Sequence, residues 1–333
     1  MLTSLEVPLA NREKPDDADC FRGPVNGKQP PGTADDTHTT SITESPSAIN
    51  IETEDPVPYE PPLGEILGEG STCRIARVAP GVIIKCPRFS WWHSKTVANK
   101  WFVQDMKRSF EVEERLLQIL GPHPRIIEFK GISDDPFGLL FTEASDGNLQ
   151  NYIEQHHAGI DMSLRFKWRT QAAEAIQFIH RKGVIHSDLR PDNFLLHTVA
   201  GNELDLLLCD FGGSTNGEID GGHLPDAGFF NPCNPPGSTT STDIFSLGSI
   251  YYTIMTGHWP YRSPGPFRFE SLEEMEKYQE LVDGLFASRR YPSVGGLEAG
   301  VVIQRCWTGE YSDSSALIAD QRWQFETLMR WKE

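Results

Sequence analysis

The order of secondary-structure signals along the chain constrains the fold more than any single motif. From about Tyr59 the sequence runs as short apolar clusters separated by Gly or Pro, at residues 63–67, 74–78 and 82–85, which read as strands. Residues 108–120 then read as a helix, with Val112, Leu116, Ile119 and Leu120 recurring on one face and Gly121-Pro122 ending it. Two more strands are expected at 126–131 and 138–143. After about Gly147 the pattern becomes mostly helical, most clearly at 164–180 and 242–256. A strand-rich front and a helix-rich back predict an α+β protein of two lobes, a front lobe at about 59–143 and a back lobe at about 147–333. There is no internal repeat.

Residues 1–58 are different in kind. They are rich in Pro, Asp, Ser and Thr, and Phe21 is their only aromatic residue. Such a segment buries too little apolar surface to offset the entropy of ordering, so a disordered tail is expected there. Ser45 before Pro46 and the cluster from Thr37 to Thr43 are candidate phosphorylation sites within it. With 38% hydrophobic and 10% aromatic residues, the 333-residue chain can bury a substantial core. A formal net charge of -17 argues against a duplex nucleic acid or an anionic membrane as the main partner, because both would be repelled. The six cysteines are scattered without the paired spacing of a zinc site or a redox dithiol. Glu6, Asn11, Arg12 and Glu13 interrupt any secretory core, and no run reaches membrane-spanning length. The expectation is a soluble protein of the cytoplasm or nucleus.

Four features point to phosphate chemistry. Gly68-Glu-Gly-Ser-Thr-Cys73 lies between two expected strands, where a pliant backbone can fold over a triphosphate and offer it amide groups, although glycine pairs are also common in hairpin turns. Lys85 ends the apolar strand Val82-Ile83-Ile84 and emerges beside that loop. Glu113 sits next to the inward apolar stripe of the following helix, where it can hold Lys85 in an ion pair; Glu111 and Glu114 are its neighbours on the more solvated side. The densest signal is Val184-Ile-His-Ser-Asp-Leu-Arg-Pro-Asp-Asn-Phe194 followed by Cys209-Asp-Phe-Gly212. Phosphoryl transfer needs a carboxylate to accept the proton of the attacking hydroxyl, oxygen ligands for Mg²⁺ and positive charge near the γ-phosphate. Asp188 suits the first role, Asn193 and Asp210 the second, and Arg190 the third.

Taken together and in this order, residues from Gly68 to about Trp307 resemble the eukaryotic protein kinase domain. The resemblance implies a small antiparallel-sheet lobe with one main helix and a large helical lobe, and ATP with Mg²⁺ bound between them. Phe141-Thr-Glu-Ala-Ser-Asp-Gly-Asn-Leu149 resembles the family's hinge, with Thr142 as gatekeeper and the backbones of Glu143 and Ser145 on the adenine. Leu67, Gly68, Gly70, Ile75, Ile83 and Lys85 are the further nucleotide contacts it implies. Asp243-Ile-Phe-Ser-Leu-Gly248 resembles the start of the buried helix whose aspartate braces the catalytic loop. The implied activity is transfer of the γ-phosphate of ATP to a Ser/Thr hydroxyl of a protein substrate. Asp188-Leu-Arg190 is similar to some tyrosine kinases, whereas Pro191-Asp-Asn193 is similar to serine/threonine kinases.

The sequence departs from the family in several places. Cys73 replaces the third loop glycine, and Ile83 the alanine over the adenine. Ser187 replaces the arginine that pairs with a phosphorylated activation loop, which predicts activity independent of such phosphorylation. Arg190 stands for a lysine. Asn231-Pro-Cys-Asn-Pro-Pro-Gly237 lacks the glutamate of the substrate-side loop, and residues 308–318 lack its arginine partner; joint loss strands no buried charge. These changes leave a pseudokinase, a nucleotide-binding scaffold without transfer activity, as the main alternative. A small-molecule phosphotransferase is disfavoured by Asp243 to Gly248 and the intact Asp210-Phe211-Gly212.

Overall fold

The computed structural model describes residues 63–89, 100–199, 201, 203–234 and 237–332; the tail expected at 1–58 lies outside them. The front lobe is a five-stranded antiparallel sheet in the order β1-β2-β3-β5-β4, built from β1 (Glu65–Glu69), β2 (Cys73–Ala79), β3 (Val82–Pro87), β4 (Phe129–Asp134) and β5 (Phe137–Thr142). Helix α1 (Lys100–Leu120) packs beside it. It extends further toward the N-terminus than the 108–120 read from sequence, because Val103, Met106 and Phe110 continue its buried stripe.

The back lobe contains α2 (Leu149–His156), α3 (Met162–Arg181), α4 (Thr240–Thr256), α5 (Leu272–Ala287), α6 (Gly300–Thr308) and α7 (Ser314–Lys332). Helix α4 is the lobe's axis: every residue from Thr242 to Ile254 is buried. A helix that is apolar all round belongs inside a domain. A Thr239/Thr242 capping box starts it, and Gly257, at φ 82°, ends it in the left-handed conformation that glycine adopts without strain. Gly248 lets α6 approach closely, since a Cβ there would lie 2.6 Å from the Cβ of Cys306. The fully buried Trp307, Tyr251 and Phe286 fill the space around this crossing.

Two short sheets interrupt this mostly helical lobe, β6 (Phe194–Val199) with β7 (Glu203–Leu208) and β8 (Thr215–Asn216) with β9 (Ile219–Asp220). Short apolar runs such as Phe194-Leu195-Leu196 and Leu206-Leu207-Leu208 carry no decisive period, so only their pairing identifies them as strands. Among the described residues no helix is long and apolar enough to cross a membrane.

The lobes are stitched together behind the cleft. Ile127 donates its amide to the Leu208 carbonyl at 2.9 Å, and Leu208 returns one to Arg125 at 2.8 Å. The Arg125 guanidinium reaches Asp205 at 2.6 Å and Glu174 at 3.2 Å, while Lys167 and Gln171 of α3 meet the other Asp205 oxygen at 2.8 and 2.9 Å. Burial opposes the charge of Asp205, yet these donors bring its carboxyl down to about 2 from an ordinary 3.8. A depressed carboxylate adds stability above the ordinary carboxylate range and loses it as pH falls toward its folded value. Asp205→Asn is therefore expected to cost about 2 kcal/mol at pH 7. Urea midpoints measured from pH 5 to pH 2 should show the gap to wild type closing as the pH falls.

Candidate active site

Strand β3 delivers Lys85 to the cleft, where its ammonium lies 2.7 Å from Glu113 on α1 and 2.7 Å from Asp210. Glu113 is 1% exposed and Lys85 8%, so the pair is shielded from water. Burial opposes the lysine's charge, but Asp210 and Glu113 overcome it and hold the ammonium well above its ordinary value. Asp210 is driven well below the ordinary carboxylate range: desolvation opposes that shift, and the Lys85 ammonium and its hydrogen bond outweigh it. The second Glu113 oxygen accepts the Phe211 amide at 3.3 Å, which couples α1 to the segment carrying Asp210. Phe211 itself is fully buried.

The catalytic-loop candidates assemble around the buried Asp243 of α4. One of its oxygens accepts the Ser187 amide at 3.0 Å; the other accepts the His186 amide at 2.8 Å and meets His180 Nε2 at 2.9 Å. Ser187 and Asp210 both occupy the left-handed region, at φ 67° and 63°. That conformation costs a non-glycine residue about 1–2 kcal/mol, and Asp243 and Lys85 supply the compensating bonds. His186 Nε2 lies 3.0 Å from the Cys209 carbonyl, which assigns the proton to that nitrogen in the neutral ring; burial keeps the imidazole neutral by lowering its pKa. The β6–β7 hairpin closes the constellation. It sets Phe194 opposite Leu208, so that the Cys209 amide reaches the Asn193 carbonyl at 2.9 Å and Asn193 comes beside Asp210. Asn193 Nδ2 donates to the Asp188 carbonyl at 2.7 Å and to its carboxylate at 3.3 Å. The amide oxygen of Asn193 is thus the end left for a hard cation.

Other expected positions are placed differently. Arg190 Nη1 reaches Asp226 of the substrate-side segment at 2.7 Å, and Nε lies 3.6 Å from Asp192, so the guanidinium bridges two loops. Thr142 turns its hydroxyl to the Glu128 carboxylate. Phe141, buried and opposite Ile83, shares the face that carries Lys85 and is the residue at the rear of the slot. Thr142 lies on the opposite face, because a strand reverses face at every step. The Glu143 amide donates to the Gly81 carbonyl at 2.9 Å and the Ser145 amide to His197 Nδ1 at 3.3 Å, so neither N–H is directed to a base. Ala144 lies between them. Leu67 sits at a bulge between β1 and β2 and is 37% exposed; Ile75 faces Lys85 across the β2–β3 ladder. The Gly68 to Cys73 turn is closed by the Gly70 amide on the Cys73 carbonyl at 2.8 Å. Asp226 and Phe141 were missed in the sequence: nothing local marks Asp226, whereas counting alternate residues along β5 singles out Phe141.

A family model described as the protein kinase domain matches residues 64–294. The chain belongs to the protein kinase family. This kinase domain is 29% identical over 178 residues to human ribosomal protein S6 kinase alpha-3, covering 49% of this chain and 23% of that protein. It is 31% identical over 172 residues to the mouse ribosomal protein S6 kinase alpha-1, covering 49% and 24%. A probable serine/threonine-protein kinase of Dictyostelium discoideum, gdt4, is 27% identical over 229 residues, covering 65% and 13%. The kinase domain thus spans about a quarter or less of the length of these curated relatives.

Proposed function

We propose that this kinase domain transfers the γ-phosphate of ATP to a serine or threonine hydroxyl of a protein substrate. The observation that carries the reading is Lys85, held at 2.7 Å from both Glu113 and Asp210. An ammonium so placed is oriented for the α- and β-phosphates, and its ion pair with Glu113 of α1 is already formed. Asp188 accepts the proton as the acceptor hydroxyl forms its bond to the γ-phosphorus and the bond to the β,γ-bridging oxygen of ADP breaks. The donor set fits Mg²⁺: Asp210 offers a carboxylate and Asn193 an amide oxygen, and hard cations prefer oxygen. Bound there, Mg²⁺ would neutralise phosphate charge as it shifts to ADP. Arg190 supplies positive charge beside the acceptor mouth, steadied by Asp226. The backbone of Ala144, with the amides on either side engaged, is the natural contact for the adenine edge, and Phe141 closes the slot behind it.

Activity independent of loop phosphorylation is part of this reading. Ser214 is fully buried and donates to the His186 carbonyl at 2.9 Å, so its hydroxyl is not poised for modification, and Thr215 pairs through its backbone with Ile185. Ser187 stands where the family's phosphate-binding arginine is expected. Arg108 of α1 instead donates to the Asp220 carbonyl at 2.7 Å, a link from helix to segment that needs no phosphate.

The pseudokinase is the second reading, favoured by the Arg190–Asp226 pair and by the altered loop at 231–237. The two separate on incubation with Mg-ATP and a general acceptor such as casein, beside Asp188→Ala and Asp210→Ala controls. Transfer by the wild type that both variants lose is the expected result; nucleotide binding without transfer would establish the pseudokinase.

A further inference from the structure

We infer that Arg77 is a positioning residue for the nucleotide, joining with Glu65 and Glu143 in a charged clasp that fixes the roof of the adenine slot to the interlobe linker. The inference rests on the ATP-binding reading of this cleft. Arg77 stands opposite Ile83 in the β2–β3 ladder and opposite Glu65 in the β1–β2 ladder. Directly opposed residues of an antiparallel pair project from the same face. Two residues away on the same strand, Ile75 stands opposite Lys85. Arg77 therefore lies on the face that carries Lys85, the underside of the sheet over the cleft, at the end nearer the linker.

A guanidinium on that face needs partners, and it has two carboxylates. Nε and Nη2 donate to the two oxygens of Glu143 at 2.8 and 2.5 Å, a fork-on-fork pair, and Nη1 donates to Glu65. The hydrogen bonds it donates to Glu143 and the two negative charges raise the guanidinium's pKa further. Glu143 opens the linker between β5 and α2, yet its side chain is only 17% exposed because it is drawn up to β2. Its amide is fixed to Gly81 in the turn just before β3. The clasp thus ties β1, β2 and the linker together across the open edge of the slot, immediately before Ala144. Without Arg77, Glu65 and Glu143 become unneutralised like charges at that edge, and the linker backbone loses its register against the roof. The effect falls on how long a nucleotide stays bound, not on Asp188 and Asn193 in the other lobe.

The test is a titration of Mg-ADP into the wild-type protein and into the Arg77→Met, Arg77→Lys, Glu143→Gln and doubly substituted Arg77→Met/Glu143→Gln variants, by calorimetry and by stopped-flow release. Arg77→Met and Glu143→Gln should each raise Kd about five-fold, through faster release, and the double variant should be no weaker than either single one. Arg77→Lys should recover part of the loss. The melting temperature of the nucleotide-free protein should move by no more than about 2 °C, because a partly exposed ion pair adds little to folding. An unchanged Kd in Arg77→Met, or a melting drop with no change in Kd, overturns the inference, as would additive losses in the double variant. If the wild type itself binds no Mg-ADP, the ATP-binding reading fails and the inference with it.

Discussion

Asp188→Asn is expected to lower phosphotransfer by about 10² to 10⁴ while leaving Mg-ADP affinity within about two-fold of wild type. The substitution keeps the side chain's shape, and the hydrogen bond from Asn193 to the residue-188 carbonyl at 2.7 Å survives it. What is lost is the capacity to accept a proton in the transition state, so the loss should fall on kcat and not on the KM for ATP. Lys85, Glu113 and Asp210, which the proposal assigns to the nucleotide, lie outside the change. Single-turnover transfer from radiolabelled ATP, beside calorimetric ADP binding, measures both quantities. A variant that retained a tenth or more of wild-type transfer would remove Asp188 from the base role and reopen the assignment of the loop.

The largest expected loss of stability is at Asp243. Its carboxylate is completely buried and serves the amides of His186 and Ser187 and the ring of His180, at 2.8, 3.0 and 2.9 Å. Asp243→Ala leaves two amides and an imidazole nitrogen without an acceptor where water does not reach. Each such group costs about 1–3 kcal/mol, and breaking a buried charged network typically costs about 3–5 kcal/mol in all. The same change removes the bonds that hold Ser187 in the left-handed conformation at φ 67°, so the loop that presents Asp188 should relax and activity should fall with stability. Urea unfolding gives the stability term directly, with the slope checked for constancy. Asp243→Asn keeps the shape and one acceptor oxygen, and should lie between Ala and wild type. A midpoint for Asp243→Ala equal to that of wild type would mean that the catalytic loop is held by something other than this carboxylate.

How legible the site was in the sequence varies residue by residue, and for physical reasons. Glu113 was readable because a helix repeats every 3.6 residues, and one glutamate of three falls beside the stripe formed by Leu116, Leu117 and Leu120. Lys85 was readable because it closes a short apolar strand. Which of Thr142 and Phe141 faces inward was not legible because the two faces of a strand differ by a single residue, and the register against β3 makes Phe141 the buried one. The strands at 194–199 and 203–208 were not singled out because an apolar run of that length has no period to distinguish strand from helix. Arg77 was overlooked because a charged residue in a strand reads as solvent-facing, whereas the ladder puts it over the cleft.

The kinds of chemistry available could be read from the residues alone: a lysine, two aspartates and an asparagine at spacings suited to phosphate and metal, on a strand-rich lobe followed by a helical one. Local period and residue type suffice for that, because they act over a few residues. Which charges meet is settled by the packing of the folded chain. Arg190 finds Asp226 across 36 residues, Lys85 finds Asp210 across 125 and Arg77 finds Glu143 across 66. An unpaired buried charge is costly, so these groups take partners, but the choice among candidate carboxylates is made by packing of distant segments that no local pattern encodes.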